Sequence, residues 1–194
     1  GLGNMMFQIA ATMEFSKKNN VGCSFPNLQS HLRYLEIETA YNSNLTCVKH
    51  YRKLFENLNT QQPPSKIKKI NFPFHYVDLQ ITESCVIEGF FQSEKYFKNS
   101  RNEILNLFPK KDKINKISMH VRRGDYVTKK EYHNVLSKDY YLRCMDKFPN
   151  ERFLIFSDDL QWCQRNFSGD RFSFYQGLND LDDLTTMASC KHNI

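Results

Sequence analysis

Hydrophobic and polar positions are most regularly ordered between residues 116 and 190. In "KISMHV" (116–121) the apolar residues Ile117, Met119 and Val121 alternate with Ser118 and His120, the two-residue period of a half-buried strand. A helix near Asp139 to Phe148 follows, then the apolar run "RFLIFS" as a buried strand and a short helix near Leu160 to Asn166. A strand "RFSFYQ" and a helix near Leu181 to Cys190 complete the series. Strands alternating with helices predict a parallel α/β sheet with right-handed crossovers.

The amino-terminal half is less regular. In "GLGNMMFQIAATMEFSKKNN" the positions Met6, Ile9, Ala10, Met13 and Lys17 have helical spacing, which predicts a helix from about Asn4 to Lys18, stopped by the polar Asn-Asn pair. A glycine loop that opens a helix normally follows a strand, which would here precede Gly1. Short apolar segments lie at Val21 to Phe25, Phe74 to Val77 and Val86 to Gly89, separated by helical stretches and the Pro63-Pro64 break. The basic patch "SKIKKIN" (65–71) reads as a solvated turn before a strand. A Pro-Lys-Lys-Asp stretch after Phe108 reads as a boundary, so two domains are expected, 1–110 and 111–194. There is no internal repeat and no low-complexity tract.

Composition narrows the classes. A chain of 194 residues with 16 Phe and 10 Tyr has enough apolar surface for a real core. Lys and Arg outnumber Asp and Glu by 27 to 21, a net charge of +6, which favours anionic ligands mildly and falls short of a nucleic-acid-binding tail. The six cysteines, Cys23, Cys47, Cys85, Cys144, Cys163 and Cys190, have neither zinc-knuckle nor redox spacing and read as unpaired thiols of a reducing compartment. The sequons at Asn44 and Asn166 fit an oxidising lumen instead. No apolar run is long enough to span a membrane.

Four clusters are candidates for chemistry. Alternation sends His120 and Arg122 to one face at the carboxyl end of a strand, with Arg123 on the other if the strand persists, and open α/β sheets bind ligands at that edge. Arginine's planar fork suits phosphate oxygens, so the cluster reads as a diphosphate clamp. An Arg123–Asp125 surface ion pair, worth under about 1 kcal/mol, explains the same residues equally well. "GLGN", with Gly1, Gly3 and Asn4, suits close approach to an anion at a helix start, or a plain helix cap at Asn4. Asp158 and Asp159, at the end of "FLIFS", suit hydrogen bonds to a guanine or a ribose; Ser157 or Asp158 capping the next helix is the plainer reading. Paired carboxylates at Asp158 and Asp159, or at Asp182 and Asp183, are weak metal candidates because neighbours need not point together. In "EGFFQSEKYFKN" the rings of Phe90, Phe91, Tyr96 and Phe97, with Gln92 and Glu94, fit a sugar site or core packing.

In this order the strings "GLGNMMFQIA", "GFFQSEKYF", "HVRRGDYV", "IFSDDLQWC" and "LDDLTTMASCKHNI" resemble the α-1,2-fucosyltransferases, glycosyltransferase family 11. Met5 stands where the family usually has glutamine. The sequence stops at "HNI", where members continue into a Ser/Thr-Phe-Ser-Trp-Trp stretch, so the resemblance implies a partial chain. It implies an α/β fold of the GT-B type: two Rossmann-like domains with parallel sheets, an acceptor-side domain and a GDP-fucose-binding domain truncated at its carboxyl end. It further implies inverting transfer of L-fucose from GDP-β-L-fucose to the 2-hydroxyl of a terminal galactose, with no obligatory metal or other cofactor. His120 and Arg122 would hold the donor diphosphate beside Arg123, Asn4 and its glycines would face the reacting centre, and Asp158 and Asp159 would sit near the nucleoside. Asp125 and Glu131 are the candidate bases. The expected partners are GDP-fucose and a galactose-ended glycan, with no nucleic acid and with peripheral membrane association. The expected location is the cytoplasm or membrane of a bacterium, or the Golgi lumen of an animal. A homologue that binds nucleotide sugar or glycan without transfer is the competing reading.

Overall fold

The computed structural model describes residues 2–32, 52, 54–78, 80–129 and 131–194; Gly1, Asn44 and Cys47 lie outside these described residues. The chain divides into two compact units, Gly1–Phe108 and Pro109–Ile194.

In the first unit, helix α1 spans Leu2–Asn19. It starts two residues earlier than its apolar period suggests, so Gly3 and Asn4 lie inside its first turn and Asn4 is not the helix cap. Asn20 ends the helix with φ 52°. The Asn20 amide donates to the Lys17 carbonyl (3.2 Å) and the Val21 amide to that of Ser16 (3.0 Å), a left-handed cap that satisfies two carbonyls otherwise left without partners. The buried stripe includes the expected Ile9 and Ala10 and adds Met5, Ala11, Glu14 and Phe15, while the expected Met6 and Met13 are only half-buried and Lys17 is exposed.

Strand β1 (Lys68–Asn71) pairs in parallel with β2 (Cys85–Glu88), from Lys68 opposite Cys85 to Asn71 opposite Glu88. The basic patch therefore bends at Ser65 and Lys66, as expected, and its second half is the strand itself. Its lysines lie at the surface, where Lys68 pairs with Glu83 and Lys69 with Glu88. Val21 to Phe25 and Phe74 to Val77 form no strand. Two single 3-10 turns, Glu94–Tyr96 and Lys98–Ser100, lead into α2 (Arg101–Leu105). Phe15, Phe72, Phe91 and Tyr96 form an aromatic core with Ala11. The Phe72 and Phe91 rings meet edge to face at 4.7 Å, and the Tyr96 hydroxyl accepts from the Val77 amide (3.0 Å).

The second unit contains β3 (Ile114–Val121), α3 (Gly124–Thr128), α4 (Lys138–Met145), β4 (Phe153–Ser157), α5 (Leu160–Asn166), β5 (Phe172–Phe174), α6 (Asp180–Ser189) and β6 (Cys190–Asn193). All four strands are parallel, in the order β5-β4-β3-β6. The chain thus steps outward from β3 to β5 and returns through α6 to the opposite side of β3, the strand order of one Rossmann-like half. Ile117, Met119, Val121, Phe153 and Ile155 pack under Tyr141 and Met145 of α4 and Cys163 of α5. Ser118 is buried despite its polarity, and its hydroxyl is paired with the Asn193 side chain.

Strand β6 has no apolar signature. Its place comes from the backbone: past its end the Ile194 amide donates to Ser118 (2.9 Å), and the His120 amide to the Ile194 carbonyl (3.0 Å). All five described cysteines are free thiols. Among the described residues no helix is long and apolar enough to cross a membrane.

Candidate functional site

The direction of the chain path reverses between β3 and β6, and the carboxyl ends of strands at such a point are the usual ligand site of an open α/β sheet. His120 is near the end of β3, and Arg122 and Arg123 follow it. The strand ends at Val121, so the arginines are directed by the turn into α3 and not by strand alternation.

The register Val121 opposite Ser157 brings residues 122 and 123 beside residues 158 and 159. Arg122 Nη1 meets Asp158 Oδ2 at 2.8 Å, and its Nη2 donates to Asp125 Oδ1 at 2.6 Å. Arg123 Nε donates to Asp159 Oδ2 at 3.1 Å, and the Arg123 amide to Asp158 Oδ1 at 2.8 Å. The expected Arg123–Asp125 pair is thus replaced: Asp125 takes Arg122, because Arg123 turns back toward α5. The cap of α5 is Asp159, neither Ser157 nor Asp158, and it accepts from the Trp162 amide at 3.0 Å. That bond, helped by Arg123, holds the Asp159 carboxyl below the usual range.

Gly124 belongs to this arrangement for steric reasons. A Cβ there would lie 2.5 Å from Asp158 Oδ2, so only glycine lets that carboxylate reach the Arg123 amide undisturbed. His120 is accessible, yet desolvation lowers its pKa below the ordinary 6.5; Asp158 opposes the shift and Arg122 adds to it. Arg122, with 45% of its side chain exposed, remains open to a ligand, whereas Arg123 at 19% is largely covered. A cavity of about 350 Å³ opens beside Arg123, lined also by Val127, His133, Asn134 and Val135. Glu131 is exposed.

In the first unit, two of the other expected residues meet: Gln92 Nε2 donates to Asn4 Oδ1 at 2.8 Å. Gly3 has open space around it. Asp182 is engaged by Lys111 and by the Tyr175 hydroxyl (2.8 Å), while burial, reinforced by Asp182 and Asp180, raises the Asp183 carboxyl. Among the described residues no group of three His, Cys, Asp or Glu side chains is placed to hold a metal ion.

A family model described as glycosyl transferase family 11 matches residues 25–194. The chain belongs to this family. Its relatives include an alpha-1,2-colitosyltransferase of Escherichia coli, 26% identical over 239 residues that take in all of this chain and 80% of the relative. The O-antigen biosynthesis glycosyltransferase WbnK, also of Escherichia coli, is 24% identical over 252 residues, covering 100% of this chain and 83% of its own length. The galactoside 2-alpha-L-fucosyltransferase Sec1 of Mus musculus is 29% identical over 90 residues, 40% of this chain and 24% of Sec1. No solved structure matches.

This family 11 glycosyltransferase thus uses a nucleotide-sugar donor and a glycan acceptor. Trp162, Tyr126 and His133 carried no signal in the pattern, and Ser157, read there as a possible cap, has another role. Trp162 stacks under the Arg123 guanidinium at 4.1 Å, and Tyr126 lies 5.3 Å from that of Arg122. The Tyr126 ring is itself stacked on His133 at 4.2 Å and 7°. Ser157 ties the two strand ends, donating to the Val121 carbonyl at 2.6 Å and accepting from the Asp159 amide at 2.9 Å. An arginine pair followed by a tryptophan forty residues on is visible in the sequence, but only folding brings them together.

Proposed function

We propose that this glycosyltransferase moves L-fucose from GDP-β-L-fucose, with inversion, to the 2-hydroxyl of a terminal galactose. The observation that supports it most is Arg122, held at the β3 edge by two carboxylates and still open to solvent. Before the donor arrives, Asp125 and Asp158 occupy the guanidinium fork. Phosphate oxygens replace carboxylate oxygens like for like, so ground-state binding gains little from the exchange. The gain comes as the glycosidic bond breaks and negative charge builds on the leaving GDP, where a preorganised donor is worth about 2.7–4 kcal/mol. His120, kept neutral at neutral pH, offers one ring N–H to the same oxygens, while Arg123, braced by Trp162 and Asp159, positions the turn. With charge neutralised by side chains, turnover needs no metal.

The acceptor hydroxyl must lose a proton during attack. Asp125, released from Arg122 when the donor binds, is the assigned base, and Glu131 is the alternative carboxylate. The two units serve as the halves of a GT-B enzyme, the first holding the acceptor and the second the donor. The linkage is supported by two relatives whose names specify position 2 of the acceptor. The colitosyltransferase among them favours colitose, a 3-deoxygenated analogue of fucose, as a second sugar to be transferred.

Incubation with GDP-fucose or GDP-colitose and lactose in EDTA, with mass spectrometry and linkage mapping, tests this directly. The expected product is 2′-fucosyllactose at undiminished rate. Transfer from GDP-colitose alone moves the assignment to that donor, and loss of turnover in EDTA overturns metal independence.

A further inference from the structure

The aromatic segment at residues 90–97 divides sharply. Phe91 and Tyr96 are 3% and 5% exposed in the core of the first unit, while Phe90 is 40% exposed. Phe74, distant in sequence, is 87% exposed and lies on Phe90, with ring centroids 5.4 Å apart and planes 19° apart. Both rings come just after the carboxyl ends of the parallel strands β1 and β2, the edge where α/β sheets receive ligands.

The backbone is built to keep Phe90 outside. Phe91 has φ 53°, a left-handed conformation that is strained for a bulky residue and that sends Phe91 inward while Phe90 faces out. Helix α1 fixes the segment on both sides: Gln8 Nε2 donates to the Gly89 carbonyl at 2.9 Å, and Asn4 accepts from Gln92. A Cβ on Gly89 would come within 2.8 Å of Phe72 Cβ, so the close packing of this turn also requires glycine. Strain held in place by tethers, beside an uncovered pair of rings, marks a surface shaped for something other than folding.

We infer that Phe74 and Phe90 form a platform for a sugar ring of the acceptor glycan, with the Asn4–Gln92 amide pair as its polar neighbour. A pyranose has an apolar face of C–H groups that packs on aromatic rings and hydroxyls that need amide partners. The free N–H of Gln92 and its carbonyl supply such partners. The occupant is a glycan because a glycan acceptor is common to the family, and the platform rests on the proposed function and deepens it by naming the rings that would hold that acceptor.

Saturation-transfer difference NMR of the full chain with lactose and with methyl β-D-galactoside reads contact without turnover. In the wild type, the apolar-face protons of galactose are expected to take up saturation. The double variant Phe74→Ala, Phe90→Ala is expected to bind about tenfold more weakly. Phe90→Tyr is expected to retain affinity, and all variants to unfold at the wild-type temperature, since both rings are exposed. Equal affinity in the double variant, or no saturation of either sugar by the wild type, overturns the platform. Transfer from GDP-fucose to lactose is measured on the same samples. Transfer with an unchanged acceptor KM in the double variant overturns the platform alone. Ring-dependent sugar binding without fucose transfer supports the platform and overturns only the reaction.

Discussion

Arg122 meets two carboxylates at once, and in the proposed clamp the donor displaces at least one of them. Arg122→Ala is expected to lower kcat about 100- to 1000-fold, since it removes a donor aimed at charge that develops only in the transition state. The unfolding temperature should stay unchanged, because the side chain is nearly half exposed. Arg122→Lys should restore only part of the rate, a point charge being unable to bridge two oxygens. Steady-state kinetics with scanning fluorimetry checks both; an unchanged rate in Arg122→Ala rules out the clamp. Gly124→Ala makes a different demand. The added methyl displaces the Asp158 carboxylate, the movable end of a side chain, so the fold should survive while kcat/KM falls about tenfold or more. A wild-type rate in this variant would mean that Asp158 is not needed to hold Arg122.

At the scale of elements, α5 links stability to the site, because one residue both caps the helix and braces an arginine. Asp159→Ala should cost about 0.5–2 kcal/mol through loss of the cap and should also weaken GDP binding through Arg123. Ser137 caps α4 in the same way, accepting from the Tyr140 amide at 3.3 Å, without touching the arginines. Ser137→Ala should therefore give a comparable loss of stability with GDP affinity intact. Urea melts and calorimetric titration of both variants separate the two roles, and equal effects on GDP affinity would show that Asp159 acts only as a cap. At the other end of the chain, Asn20 holds a left-handed conformation that glycine adopts freely. Asn20→Gly should raise stability by up to about 1 kcal/mol in the same melts.

For the whole molecule, the depressed pKa of His120 sets a pH dependence with a defined sign. Between its lowered folded value and the ordinary 6.5, the unfolded chain binds more protons than the folded one. The stability contributed by His120 is therefore complete above about pH 6.5 and declines as pH falls through that window. NMR titration should place the imidazole below 6.5, higher in Arg122→Ala and lower in Asp158→Asn, since the first change removes a repelling cation and the second an attracting carboxylate. A value at or above 6.5 in the wild type would show that desolvation does not dominate.

The sequence by itself determined the alternation of strands and helices from Lys116 to Cys190, because each of those elements carries its own period of apolar residues. It also determined that His120 and the arginines stand at a strand's carboxyl end, which needs only the alternation of one strand. Strand β6 was not legible: four residues with no apolar period become a strand only because β3 offers backbone partners. The buried stripe of α1 kept the expected Ile9 and Ala10 but took in Met5 and Phe15 in place of Met6 and Met13, since the edges of a helix's buried face depend on what packs against it. The partners of Arg122 and Arg123, the stack on Trp162 and the meeting of Phe74 with Phe90 were decided by tertiary structure alone. Local periodicity reports the burial preference of a single element. Which charges and rings face one another depends on strand register, and here Val121 opposite Ser157 placed two arginines beside two aspartates more than thirty residues away.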